Sequence, residues 1–180
     1  MRQTGANTEG SCWKQGLSPQ IADDCRIVIL GSMPGEASLQ AGQYYAHPRN
    51  RFWPLLGRLY GFDPALPYDE RVCMLWAAGI GLWDVLDQCE RQGSLDSAIK
   101  RDSEVANPLP ARLCALTGLR LIVLNGGKAA QAFRRHVALD AGMRLLLDRI
   151  DCLSLPSTSP ANASFDMARL FAAWSALKNH

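Results

Sequence analysis

No apolar stretch in this chain approaches the roughly 20 residues that a helical membrane span requires, so none is expected. The first twenty residues, Met1 to Gln20, are polar and mixed, without the hydrophobic centre of a signal peptide. They read as a loosely ordered arm, and the chain as cytoplasmic. Cysteine is present six times but never as Cys-x-x-Cys and never clustered with histidine. That spacing argues against zinc or iron–sulfur ligation and in favour of buried free thiols, with disulfides unexpected in that compartment. Gly-x-Gly-x-x-Gly and the P-loop pattern are both missing, which removes the common nucleotide-binding signatures. Gly-x-Ser-x-Gly is missing too, and three histidines leave few general bases for a serine hydrolase. There is no internal repeat and no low-complexity tract. A net charge of +2 is far below that of a protein that coats nucleic acid, yet compatible with an enzyme that grips a few phosphates.

What is present is an ordinary globular composition, 48% hydrophobic and 20% charged, over 180 residues. That length suits one domain with a real core, which we place at residues 21–180 after an arm of residues 1–20. Arg26-Ile-Val-Ile-Leu30 and Leu119-Arg-Leu-Ile-Val-Leu124 read as buried strands, each running into a glycine-containing loop. Ile80 to Leu86 reads as a further short strand. Helical spacing predicts helices over Phe52–Tyr60, Asp69–Ala78, Ser94–Lys100, from Asn107 to about Thr117, Lys128–Val137 and Phe165–Leu177. Arg144–Leu147 and Ile150–Leu155 are assigned to the last strand region. The alternation predicts an α/β fold, three layers α/β/α about a central, mainly parallel sheet. In such sheets ligands bind beyond the carboxyl ends of the strands. The loops Gly31–Gly35, Asn125–Gly127 and Pro156–Pro160 should therefore open on one edge.

Two segments carry the chemistry. Gly31-Ser32-Met33-Pro34-Gly35 makes a sharp loop whose backbone can approach a ligand closely. Shortly after it, Tyr44-Tyr45-Ala-His47-Pro-Arg49-Asn50-Arg51-Phe52-Trp53 supplies aromatic faces, an amide, an imidazole and guanidinium groups. That set suits stacking on a planar base and orienting a water. Phe52 and Trp53 read as core, and Tyr44 as packing or touching backbone. His47 reads equally as a base or phosphate contact and as a residue that fixes its loop. Asn50 can orient a water or cap the helix that starts near Arg51. Arg49, Arg51 and Arg58 form one local basic group, and Lys128, Arg134 and Arg135 another.

These two segments resemble the mismatch-specific branch of the uracil-DNA glycosylase superfamily, and the Tyr-Tyr-Ala-His-Pro-Arg-Asn-Arg-Phe-Trp run looks most like its hypoxanthine-DNA (deoxyinosine) glycosylase family. In the mismatch-specific enzymes the first loop reads Gly-x-Asn-Pro-Gly and its Asn positions the attacking water. Met33 stands there in this chain, and a thioether cannot fill that role. The resemblance implies that Asn50 carries the catalytic function instead, and that Tyr45 is the platform for a flipped base. It further implies that Gly31, Ser32, Met33, Pro34, Gly35, His47 and Asn125 line the base site. Pro156-Ser157-Thr158-Ser159-Pro160 corresponds to the superfamily's second motif, with Leu155 where relatives carry Asn. By that resemblance Ser157, Thr158, Ser159, Pro160, Asn162 and Arg49 contact DNA.

The implied activity is a monofunctional DNA glycosylase that excises a deaminated base, hypoxanthine by preference, from double-stranded DNA. No metal, cofactor or membrane is implied, a monomer is expected, and neither motif holds a lysine for Schiff-base chemistry. Three alternatives stay open at this point. They are a uracil or mismatched-pyrimidine glycosylase of the same fold, a non-catalytic damage-binding module, and a small-molecule enzyme using Ser32 or Ser157 as nucleophile.

Overall fold

The computed structural model describes residues 12–180. Its strands are β1 (Trp13–Gln15), β2 (Ile27–Gly31), β3 (Ile80–Asp84), β4 (Leu86–Glu90), β5 (Val105–Ala106), β6 (Leu121–Asn125) and β7 (Asp151–Leu155). The helices are α1 (Glu36–Ala41), α2 (Phe52–Tyr60), α3 (Tyr68–Ala77), α4 (Leu109–Cys114), α5 (Gly127–His136), α6 (Ala141–Leu147) and α7 (Met167–Trp174). The central sheet has the order β3-β2-β6-β7 and is parallel throughout. Every residue of β2, β3 and β6 is buried, so both faces of those strands are covered. That is the burial that continuous apolar runs demand in a parallel sheet.

Four features depart from the sequence expectation, the first being that Ser94–Lys100 forms only a short 3₁₀ turn at Asp96–Ala98 in place of a helix. The Ile80–Leu86 run is not one strand: after Asp84 the chain leaves the central sheet, and Leu86 begins β4 of a second, antiparallel sheet ordered β1-β4-β5. The change of sheet is fixed by Val85 N–H donating to the Gly31 carbonyl at 2.9 Å and Leu86 N–H to the Ser32 carbonyl at 3.0 Å. Part of the expected arm is built into the fold, since Trp13–Gln15 pair with Gln88–Glu90 of this sheet and Gln20 forms an isolated bridge to Leu82 of β3 in the central sheet. Residues 1–11 of that arm lie outside the described residues. Arg144–Leu147 is helical rather than extended, because Asp140 caps α6 by accepting from Met143 N–H at 3.0 Å. Met143 and Leu146 then bury at helical spacing while Leu145 faces solvent.

The cysteines also divide. Cys25 and Cys89 are buried as expected, but Cys73, Cys114 and Cys152 are exposed, and none of the six is in a disulfide. Among the described residues no helix is long and apolar enough to cross a membrane. No group of three or more His, Cys, Asp or Glu there is placed to hold a metal ion.

Candidate active site

Because β2, β3, β6 and β7 run parallel, their carboxyl ends share one edge, and the loops leaving them enclose a cavity of about 580 Å³. The first wall is the Gly31–Gly35 loop at the end of β2. Gly31 is required there sterically: a Cβ would stand 2.2 Å from Asp84 Oδ1 and 3.3 Å from the Tyr45 hydroxyl. Ser32 donates to Asp96 Oδ1 at 2.7 Å, and the Pro34 carbonyl accepts from the buried Arg91 guanidinium. Met33 is buried and lines the cavity without a group able to hold a water.

The second wall is the segment before α2. Tyr45 lies flat against Phe52, with φ at +56°, a left-handed conformation that costs a residue other than glycine of order 1–3 kcal/mol. The fold holds it there from both sides. Tyr44 donates to the carbonyls of Leu17 and Ser18, and Trp53 Nε1 donates to the Tyr44 carbonyl at 2.9 Å. His47 shapes the turn, its Nδ1 accepting from Arg49 N–H at 3.1 Å and its carbonyl from Asn50 N–H at 2.8 Å. Asn50 Oδ1 accepts from Phe52 N–H at 3.0 Å, at the start of α2. Its Nδ2 has no hydrogen-bond partner among the described residues, and the residue lines the cavity.

The third wall joins the ends of β6 and β7. Asn125, buried at the end of β6, donates from Nδ2 to the Tyr45 hydroxyl at 3.2 Å and to Thr158 Oγ1 at 3.1 Å, and its Oδ1 accepts from Thr158 N–H at 3.0 Å. One carboxamide thus ties both motifs together. The turn beside it needs Gly126, whose φ is +99° and whose missing Cβ would stand 2.7 Å from Ser157 Cβ.

The Ser157–Pro160 loop is stiffened by Ser159 N–H donating to Ser157 Oγ and Ala161 N–H to Ser159 Oγ, both at 3.2 Å. Thr158 is fully buried. Its hydroxyl accepts from Asn125, so the residue joins the two loops while lining the cavity. Asn162 likewise spends its Nδ2 on the Ser157 carbonyl at 2.9 Å, within its own loop. Ser157, Ser159, Pro160 and Arg49 all line the cavity, and Arg49 is exposed there.

Two members of the second basic group, Lys128 and Arg135, are engaged elsewhere. Lys128 lies 2.5 Å and Arg135 3.6 Å from the carboxylate of the buried Glu104. Arg58 packs over Phe171 at 4.0 Å, and Arg51 turns inward to the Ser157–Pro160 loop.

Sequence reading missed the acidic side of the site. Asp84, at the end of β3, is 4% exposed and lines the cavity, and its Oδ2 has no hydrogen-bond partner. Burial, aided by the nearby Asp96, pushes its carboxyl up to about 8 against the pull of Arg91. Ser94 and Leu95 complete that side. The signal was available: Asp84 is the charged residue in an otherwise apolar run that ends on the loop-bearing edge.

Comparison with known proteins agrees with this architecture. A family model described as the uracil DNA glycosylase superfamily matches residues 18–178. The chain is 40% identical over 119 residues to a hypoxanthine DNA glycosylase of Methanosarcina barkeri, covering 66% of this chain and 74% of that one. It is 34% identical over 168 residues to a hypoxanthine DNA glycosylase of Methanosarcina acetivorans, covering 93% and 99%. A solution NMR structure of a uracil DNA glycosylase candidate from Methanosarcina acetivorans superposes with a TM-score of 0.73 at 30% identity, covering 92% of this chain and 99% of that one. With the family model, the relatives' sequences and the superposed structure in agreement, the chain belongs to the uracil DNA glycosylase superfamily.

Proposed function

We propose that this protein removes hypoxanthine from deoxyinosine-containing duplex DNA by hydrolysing the bond between base and sugar. The observation that carries this reading is the cavity itself, where the Tyr45 ring, the unpartnered Nδ2 of Asn50 and the Gly31–Gly35 loop meet. The named relatives supply the base. A nucleotide rotated out of the duplex inserts its base against Tyr45, whose far face is backed by Phe52. Asn50 orients a water toward the anomeric carbon, a task of positioning rather than strong basicity. Backbone N–H groups of the first loop stabilise the departing base. Ser157, Ser159, Pro160 and Arg49 hold the flanking strand, and the enzyme acts as a cytoplasmic monomer.

The test is a single-turnover assay on matched duplexes carrying one hypoxanthine, uracil or xanthine. Hypoxanthine should leave fastest, giving strands that break only after hot alkali. Base-specific binding without an abasic product, under excess enzyme and long incubation, would overturn the reading in favour of a binding module. Faster release of uracil would move the substrate to a pyrimidine.

A further inference from the structure

We propose that Asp84 is the proton donor to the departing purine, delivering its carboxyl proton to N7 of the flipped base. This rests on the glycosylase reading above and adds a residue that neither sequence motif contains. The geometry comes first. Asp84 ends β3 on the cavity edge, and its backbone is pinned there by Asn107 Nδ2 donating to its carbonyl at 2.9 Å. The carboxyl lies against Gly31 so closely that no side chain fits between them, and Oδ2 is buried without a protein partner. A buried polar atom left unpaired is costly, and the residue that carries it lines the cavity in which the base would sit.

The surroundings keep the group protonated. Asp96 faces it from the loop after β4 and opposes ionisation, while the buried Arg91 favours it. The hydroxyls of Tyr44, Tyr45 and Tyr68 also feel its charge, and each is held above the ordinary tyrosine value chiefly by burial. With burial as the largest influence and the carboxyl pushed up to about 8, Asp84 is neutral near pH 7. A neutral carboxyl acid lining the same cavity as a water-orienting amide separates the two roles that glycosidic hydrolysis needs.

The step balances. The C1′–N9 bond breaks with its electron pair passing to the purine, and N7 takes the proton from Asp84. The water oriented by Asn50 forms the new C1′–O bond, and the proton it releases restores the carboxyl acid. Hypoxanthine leaves neutral.

Single-turnover release of hypoxanthine by Asp84→Asn and by the wild type, measured from about pH 6 to pH 9.5, tests this. The amide keeps the shape and a hydrogen-bond donor but has no proton to transfer, so the rate at neutral pH should fall by about 10²-fold or more. The wild-type rate should fall tenfold per pH unit above about 8. The base's own N1–H also ionises in alkali, so the diagnostic is a descending limb present in the wild type and absent from D84N. Wild-type release with D84N within threefold, or with the same profile in both, overturns the role of Asp84 alone. Absence of any release by the wild type overturns the proposed function instead. Should D84N fail to fold, the wild-type profile decides: a descending limb below that of the free base supports the donor, and a level rate overturns it.

Discussion

Tyr45 lies face to face with Phe52, ring centroids 3.8 Å apart and planes 17° from parallel. Phe52 opens α2, is fully buried and meets Trp174 edge-on, so the aromatic plate is anchored in the core rather than in the loop. A base stacked on Tyr45 therefore meets a surface that does not yield, which limits the ordering cost of binding.

Removing that plate should weaken recognition without unfolding the protein. A base stacked on an aromatic side chain contributes about 1–3 kcal/mol, so Tyr45→Ala should reduce hypoxanthine release about 10- to 100-fold at subsaturating enzyme. Tyr45→Phe keeps the ring and loses only the hydroxyl that accepts from Asn125, which still bonds Thr158. It should stay within about threefold of wild type. Equal losses in both variants would mean that the hydroxyl, not the ring, matters.

Arg51 connects the two motifs mechanically. Its guanidinium donates to the carbonyls of Phe165, Ser159 and Asn162, and its backbone N–H to that of Thr158 at 3.1 Å. Arg51→Ala should release the 156–165 loop, seen as faster amide hydrogen exchange there, and weaken duplex binding about tenfold. Arg51→Lys should not restore it, since an ammonium cannot span several carbonyls with a planar fork. Unchanged exchange in that loop would show that Asn125 alone secures it.

Asp84 also sets a cost in stability. Its folded value, about 8, lies above that of an unfolded aspartate. Folding is therefore unpenalised by this group in acid and loses stability as pH rises from about 4 to about 8. Asp84→Asn removes the ionisation, so its melting temperature should exceed that of wild type by at least about 4 °C near pH 8. The gap should close near pH 4. A melting temperature that drops at every pH would mean that the carboxyl holds a structural contact.

The sequence carried the parallel sheet because β2 and β6 are apolar runs ended by glycine loops, and it carried the convergence of loops because parallel strands share an edge. The arm residues Trp13–Gln15 were illegible, since β1 earns its pairing from β4, a strand beyond the reach of local pattern. Arg144–Leu147 misled because three successive leucines mimic a buried strand, while the deciding signal was the Asp140 cap. In the site, Tyr45, Asn50 and Asn125, singled out through the family resemblance, all line the one cavity. Asp84 was overlooked, although its place as the charge in an apolar run ending on the loop-bearing edge offered a signal. Thr158 shows the converse: a hydroxyl in a polar loop gives no sign that a carboxamide 33 residues earlier donates to it.

Asn50 combines a cap and a cavity-lining amide, and the two can be separated. Its Oδ1 accepts from Phe52 N–H, so Asn50→Ala should cost about 0.5–2 kcal/mol of stability, the usual range for a lost cap. Loss of a positioned polar group at the reacting centre should lower hypoxanthine release about 10²–10³-fold, far more than incomplete folding at that stability would produce. Asn50→Ser distinguishes the roles, because a serine hydroxyl serves the same cap but does not carry the carboxamide into the cavity. The serine variant should recover most of the melting temperature and little of the rate, compared at matched enzyme excess. Recovery of both together would reduce Asn50 to a cap and send the search for the water-orienting group to other residues lining the same cavity.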